Sequence, residues 1–406
     1  MRDGRPEMGD VCRTHGSAYL RQFADSVTPG QRRVLRALAQ CRTAELGGHN
    51  EFEKCDTCGY TRIAYNSCRN RHCPKCRQSK AAEWLNARSA EILPVEYFHV
   101  VFTLPQELSL LALQHPRALY GLLFSCAAET LQTIARDPKH LGAEIGFLAV
   151  LHTWGQTLTH HPHVHCIVPG GGLSPDRAQW VGCRPGFFLP VRVLSRLFRR
   201  RFLEQLGRLL SKPMRAPSQE WRRLQDLKEW NTLRRQLDKK EWVVYAKPPF
   251  GGPKQVLKYL ARYTHKIAIS NRRLVSVNDG AVTFEWKDYA HGNRPRTMTL
   301  AATEFLRRFL QHVLPPGLQR IRHFGLLANR GRRQTLKRCR ELLGVETAAA
   351  ESGPSSESAA AITVTPMSPA SERRCPVCRH GRMVRNERVE PQRVEAVSTA
   401  KFWDTS

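Results

Sequence analysis

Thr159-His160-His161-Pro162-His163-Val164-His165-Cys166-Ile167-Val168 is the most informative stretch of this 406-residue chain. Its second half alternates imidazoles with β-favouring apolar residues, the period of an extended strand, and Pro169-Gly170-Gly171-Gly172 stops it. On a strand alternate side chains share a face, so His163 and His165 point together while Val164 goes to the core. Two imidazoles so placed suit one divalent ion and leave positions open for a phosphate oxygen. Three residues compete for the third ligand position. His161 has the right parity but adjoins Pro162, Gln156 lies on the strand expected over 147–158, and His99 lies on the strand expected over 97–104.

Around this stretch strands and helices are mixed. A strand over 97–104 stops at Pro105, and a helical pattern follows over 108–135. Leu194, Leu197, Phe198, Phe202, Leu206 and Leu209 recur at helical spacing, and 242–245 reads as a short strand. Two segments separated by Asn278-Asp279-Gly280 predict a hairpin over 267–286, followed by an amphipathic helix over 304–313. The fold class this implies is α+β, with a mainly antiparallel sheet flanked by helices.

Gly251-Gly252-Pro253 opens a helix over 254–264, with proline in the first turn where its missing donor does no harm. That helix places Tyr259 and Tyr263 on one face. A phenol with a pKa of about 10 is a poor nucleophile at neutral pH. A nearby metal ion with Lys258, Arg262 and Lys266 would stabilise its phenolate. Taken alone, the two tyrosines read as packing with Leu260 against a sheet; beside the histidine pair they read as nucleophiles.

From 41 to 76 periodicity gives way to Cys, His, Gly and Arg, and a helical stretch is expected before it over 17–46. Cys55-x2-Cys58 and Cys73-x2-Cys76 can each present two thiolates from one turn, and together they would complete a tetrahedral zinc site. Cys41, His49, Cys68 and His72 are further candidates, enough for a second ion, and the partition stays open. Cys375 and Cys378 make half a site, either a ligand pair with partners elsewhere or a degenerate knuckle. Arg62, Arg69, Arg71, Lys75, Arg77 and Lys80 surround the module and suit phosphate contacts, unless they only solvate its surface.

The charge balance agrees. Lys and Arg number 64 against 35 Asp and Glu, a formal net charge of +29, and such an excess attracts a polyanion through counterion release. No apolar run reaches signal-peptide or membrane-span length, so a cytoplasmic, nucleoid-associated location without membrane contact is expected. In that reducing setting the 13 cysteines are metal ligands or core residues rather than disulfides. Expected boundaries are 10–95 for the helical and zinc-binding domain and 96–344 for the catalytic domain. A disordered linker rich in Ala, Ser, Pro and Glu is expected over 345–372, and a basic tail over 373–406.

With these residues in hand, the chain resembles the two-tyrosine rolling-circle transposases of the IS91 type, within the HUH endonuclease superfamily. The resemblance runs over about 15–343. It is carried by Cys41-Arg-Thr with Leu46-Gly-Gly-His49, by 66–76, by Phe98 to Pro105, and by Trp154-Gly-Gln-Thr-Leu158 with 161–166. The stretch Tyr259 to Arg273 and the end of 305–325 complete it. It implies an N-terminal zinc-binding domain ahead of an HUH domain. It implies Mg²⁺ or Mn²⁺ at His163 and His165, and tyrosine attack on single-stranded DNA at transposon ends. The products would be a 5′-phosphotyrosine and a 3′-hydroxyl, with the linked strand later joined to target DNA. A plasmid replication initiator or relaxase would share this chemistry but not the cysteine module. A non-catalytic zinc-dependent DNA-binding regulator is the alternative of another class.

Overall fold

The computed structural model describes residues 5–46, 48–76, 91–247, 256, 267–289, 291–344, 374–375 and 377–389, with backbone alone at 48–53, 62–64 and 385–389. In chain order, helices α1 (Met8–Gln22) and α2 (Pro29–Gln40) precede strands β1 (Gly48–Cys55), β2 (Thr61–Tyr65) and β3 (Tyr97–Thr103). Helices α3 (Ser109–Gln114) and α4 (Pro116–Arg136) lead to β4 (Gly146–Trp154), β5 (His160–Pro169), β6 (Gly171–Leu173) and β7 (Trp180–Gly182). Then come α5 (Val191–Leu210), α6 (Gln219–Gln225), α7 (Leu227–Lys239) and β8 (Val244–Lys247). After β9 (Leu274–Asn278), β10 (Ala281–Asp288) and β11 (Arg294–Ala301) follow α8 (Ala302–Leu310), β12 (Ile321–Gly325), α9 (Arg332–Leu342) and β13 (Met383–Val389).

These elements form two compact units. One comprises Met1–Arg77, Ile269–Val313 and Glu351–Ser406; the other comprises Gln78–Ala268 and Leu314–Ala350. In the first, α1 and α2 pack with α8, and β9, β10 and β11 make an antiparallel sheet. The helix expected over 17–46 is two helices. A new one starts at Thr28, whose hydroxyl accepts from the Gln31 amide (3.3 Å) while the Gln31 side chain accepts from the Thr28 amide (2.8 Å). The hairpin turn is as expected: Asp279 (φ 50°) and Gly280 (φ 73°) both take the left-handed conformation of a two-residue loop. The segment 269–313, which the sequence placed with the catalytic domain, belongs to the same unit as the zinc-binding residues.

The second unit is built on a five-stranded sheet of order β12-β4-β5-β3-β8, antiparallel at every pairing. One face is apolar throughout. Phe98, Val100 and Phe102 of β3, Phe147, Ala149 and Leu151 of β4, and Val164, Cys166 and Val168 of β5 form one core with helices α3 to α7. The helix expected over 108–135 is interrupted at His115 (φ −123°, ψ 56°), because Pro116 disfavours a helical residue before it and then opens α4. On the opposite face Tyr97, Leu148, Val150, Ile167 and Val256 form a smaller cluster. The histidines lie on that second face. The disordered linker expected over 345–372 lies outside the described residues.

Phe198 of α5 belongs to the main core: its ring lies 4.9 Å from Phe102 and 5.4 Å from Trp242, fully buried. Phe198→Ala should lower unfolding stability by about 3–5 kcal/mol, measured by urea denaturation followed by tryptophan fluorescence. A loss under about 1 kcal/mol would show that this junction does not hold α5 to the sheet.

Candidate metal centres

The pairing of β4 with β5 sets the first centre. His152 stands directly opposite His163, and Val150 opposite His165, so three imidazoles share the face away from the main core. One ligand nitrogen from each of His152, His163 and His165 can be chosen so that all lie within 4.8 Å of one another. His152 and His165 are buried and His163 is half-buried, so the set is open on one side only. The rings of His152 and His165 are 4.4 Å apart and inclined at 65°, and those of His163 and His165 are 4.8 Å apart at 71°.

Neighbouring groups orient the rings, and a carbonyl fixes the tautomer of one of them. His163 Nδ1 donates to the His161 carbonyl at 2.6 Å, which puts the lone pair of His163 on Nε2. His165 Nδ1 lies 2.7 Å from His99 Nε2, with the two rings nearly parallel at 13°. Burial pushes the His99 imidazole down to about 3, so it is neutral and can accept the His165 proton. With the proton on His165 Nδ1, the lone pair of His165 is on Nε2 as well. Trp154 stacks on His152 at 4.6 Å, and the Arg320 guanidinium sits 5.4 Å over the Trp154 ring.

His152 was not among the residues expected to supply the third ligand. His99, one of those expected, lies outside the three-imidazole set and contacts His165 instead. His161 is exposed beside His163, with ring centroids 5.2 Å apart, and is not in the three-imidazole set. Gln156 lies in the turn between β4 and β5, since the strand ends at Trp154 rather than 158. Counting the pairing back from Gly155 would have found His152, with allowance for the bulge between His152 and Trp154. His160, on the other face, is structural: Ser109 Oγ bonds its Nδ1 at 2.6 Å and Tyr120 OH bonds its Nε2 at 2.9 Å.

The cysteines partition into two sets of four. Cys41, Cys68, Cys73 and Cys76 converge, with Sγ–Sγ separations of 3.5, 3.6 and 3.7 Å between the closest pairs. These distances match the edge of a tetrahedron of about 3.8 Å expected for zinc with Zn–S bonds of about 2.3 Å. Crowding splits the thiols: hydrogen bonds from its neighbours pull Cys41 down to about 6 and also hold Cys76 low, while Cys68 and Cys73 are pushed up. Only a cation can hold four thiolates together. Cys55 and Cys58 do not join Cys73 and Cys76; they meet Cys375 and Cys378. The expectation that the two Cys-x2-Cys motifs share one site is therefore corrected. Cys73 and Cys76 instead join Cys41 and the nearby Cys68, while Cys55 and Cys58 take partners more than 300 residues away. His72 is outside both sets, and the side chain of His49 lies outside the described residues.

Comparisons with known proteins agree with this architecture. Residues 11–104 match a family model described as "Transposase zinc-binding domain", and residues 146–335 match one described as "Putative transposase". The chain is 53% identical, over 99% of both chains, to "Putative transposase y4qJ" of Sinorhizobium fredii. The chain belongs to the IS91-type transposase family. It is also 29% identical to "Transposase for insertion sequence element IS801" of Pseudomonas savastanoi pv. phaseolicola, covering 77% of this chain and 74% of that one. No solved structure matches it significantly. DNA is thus the substrate of this transposase, and its N-terminal module is a zinc-binding domain. Among the described residues no helix is long and apolar enough to cross a membrane.

The cations differ in what they can offer DNA. Arg69 is exposed and held at φ 50° in the Cys68–Cys73 loop. Arg71 is partly buried, which lowers its pKa, and Lys75 is ion-paired with Glu7. The side chain of Arg62 and the residues Arg77, Lys80, Lys258, Tyr259, Arg262, Tyr263 and Lys266 lie outside the described residues.

The His99–His165 contact yields a test. His99→Leu removes the acceptor but no imidazole of the set, so Mn²⁺ affinity should fall roughly 10–100-fold with zinc content unchanged. Titration of the full chain with Mn²⁺, read by calorimetry, checks this; unchanged affinity would show that His99 orients nothing.

Proposed function

We propose that this transposase moves its element by rolling-circle transposition, cutting single-stranded DNA through a metal-assisted tyrosine attack. The observation that carries the proposal is the three-imidazole set on β4 and β5, with the tautomer of His163 fixed for ligation and His165 held against His99. His152, His163 and His165 would hold one Mg²⁺ or Mn²⁺, which supplies charge stabilisation to a non-bridging phosphate oxygen. The donors fit: three imidazoles lie close together, and His163 keeps one side open.

The attacking residue in this proposal is Tyr259 or Tyr263. The tyrosine oxygen attacks the scissile phosphorus as the bond to the 3′-oxygen breaks. The phenol gives up its proton and the departing oxygen gains one, leaving a 5′-phosphotyrosine and a 3′-hydroxyl. The ester conserves the bond energy, so a 3′-hydroxyl on target DNA can reverse the step and complete strand transfer. Lys258, Arg262 and Lys266 would offset charge on the phenolate and the phosphorane. One described residue supports this placement. Val256, three positions before Tyr259, is fully buried against Val150 and Ile167 on the face that bears the histidines.

For the zinc-binding domain, we assign one structural zinc to Cys41, Cys68, Cys73 and Cys76, and phosphate contact to the exposed Arg69 on the loop this zinc fixes. Arg69→Ala with Arg71→Ala should weaken DNA binding and flatten its salt dependence, the slope falling by about one for each arginine that touches a phosphate, while zinc content holds. Unchanged binding in a filter or anisotropy assay would remove the loop from the interface.

Incubation with a single-stranded transposon-end oligonucleotide and Mn²⁺ should give a covalent adduct on a denaturing gel. The adduct should vanish in the Tyr259→Phe, Tyr263→Phe double variant. In His152→Ala or His163→Ala it should fall by at least about 100-fold, the upper end of what loss of a ligand's hydrogen-bonding partner costs. Cleavage that survives loss of both tyrosines would overturn the mechanism.

A further inference from the structure

Cys375 and Cys378 stand far from the zinc-binding domain in sequence and beside it in space. Cys378 Sγ is 3.7 Å from Cys55 Sγ, and Cys375 Sγ is 3.6 Å from Cys58 Sγ. These separations are too long for disulfides, whose S–S bond is about 2.05 Å, and again match the tetrahedral edge of a zinc–thiolate site.

The two pairs sit on turns of the same design. In the first, amides of Thr57 and Cys58 donate to Cys55 Sγ, each at 3.4 Å, and the Gly59 amide bonds the Cys55 carbonyl. In the second, the Val377 amide donates to Cys375 Sγ (3.4 Å), the Gly381 amide to Cys378 Sγ (3.2 Å), and the Arg379 amide bonds the Cys375 carbonyl. Backbone donors aimed at sulfur stabilise thiolate over thiol. The turns also hold each other. Asp56 Oδ1 accepts from the Arg382 amide at 2.8 Å, and the Asp56 amide bonds the Arg382 carbonyl at 3.1 Å. A Cβ on Gly381 would lie 2.4 Å from Cys55 Sγ, so only glycine permits the approach.

Apolar burial does not explain this junction. Cys55, Cys375 and Met383 are its buried residues, with Tyr60 and Cys378 packed partly against them. So small a cluster cannot offset the entropy of joining segments more than 300 residues apart, whereas a metal–thiolate centre can.

We propose that Cys55, Cys58, Cys375 and Cys378 form a second, split zinc site that clasps the C-terminal segment to the zinc-binding domain. All four ligand positions are protein sulfur, so the site is structural and closed to substrate. Its occupancy decides whether β13 pairs with β1. That pairing sets Cys55 opposite Met383, Lys54 opposite Val384, Glu53 opposite Arg385 and Glu51 opposite Arg388, and it covers the edge of β1 that β2 leaves open.

The full-length chain purified from zinc-supplemented culture should hold two zinc equivalents by elemental analysis. The Cys375→Ser, Cys378→Ser variant should hold one and show faster amide exchange in 48–55 and 383–389. Co²⁺ loading of that variant should still give one tetrathiolate spectrum. One equivalent in the unmodified chain, or two in the variant with unchanged exchange, overturns the clasp. Should the serine variant lose both ions, Gly381→Ala decides, because it keeps every cysteine. Release of one ion to a chelator ahead of the other supports the split site, and simultaneous release of both overturns it.

Discussion

The register between β4 and β5 is the constraint on which the proposed chemistry depends. Because side chains alternate across a strand, a slip of one residue would send His163 and His165 into the helix-covered core and Val164 to the open face. That slip is opposed from both sides of the sheet. Phe147, Ala149, Leu151, Val164, Cys166 and Val168 fill one face, and Leu148, Val150 and Ile167 the other. The turn adds its own anchor: Leu158, buried with φ 61°, and the Gly155–Thr159 backbone bond fix where the chain reverses. Core packing thereby places His152 opposite His163. The site inherits its precision from residues that never touch a ligand.

Order in the cysteine-rich region has a different source. A segment with so few buried apolar side chains cannot pay for its own folding through the hydrophobic effect. Four thiols within hydrogen-bond distance would repel one another once ionised, as the opposed pKa shifts of Cys41 and Cys68 show. A divalent ion reverses the sign of that interaction, turning repulsion into the folding energy itself. Drawing Cys41 from the end of α2, and Cys68 from the loop before Cys73, ties helix and loop to one point.

Much of the architecture was legible because periodicity reports it locally. The strand His163-Val164-His165, the strand over 97–104 and the Asn278-Asp279-Gly280 turn each declare themselves within ten residues. The third imidazole was not legible in this way. His152 depends on where β4 ends, and the strand stops before Gly155, four residues sooner than apolar composition suggests. The partners of Cys55 and Cys58 were harder still, since no local pattern links them to Cys375. Helix breaks at 23–28 and at His115 were signalled by Thr28-Pro29 and Pro116, whose effects outweigh an otherwise continuous helical stripe. Strand β12 carries too little alternation to stand out and is defined by its pairing with β4.

The donor set bears on how the proposed ion would act. Carboxylates would cancel part of the charge of a divalent cation, but His152, His163 and His165 are neutral when they ligate, so the full double charge would face the substrate. The buried His99 behind His165 is neutral as well and adds no compensating negative charge. An anionic phosphodiester oxygen would suit such a centre. Nitrogen donors also discriminate between the two candidate ions. Mg²⁺ favours oxygen and dehydrates reluctantly, whereas Mn²⁺, a first-row transition ion, accepts imidazole more readily. The same neutral donors that would leave the proposed ion's charge facing DNA would therefore favour Mn²⁺ over Mg²⁺.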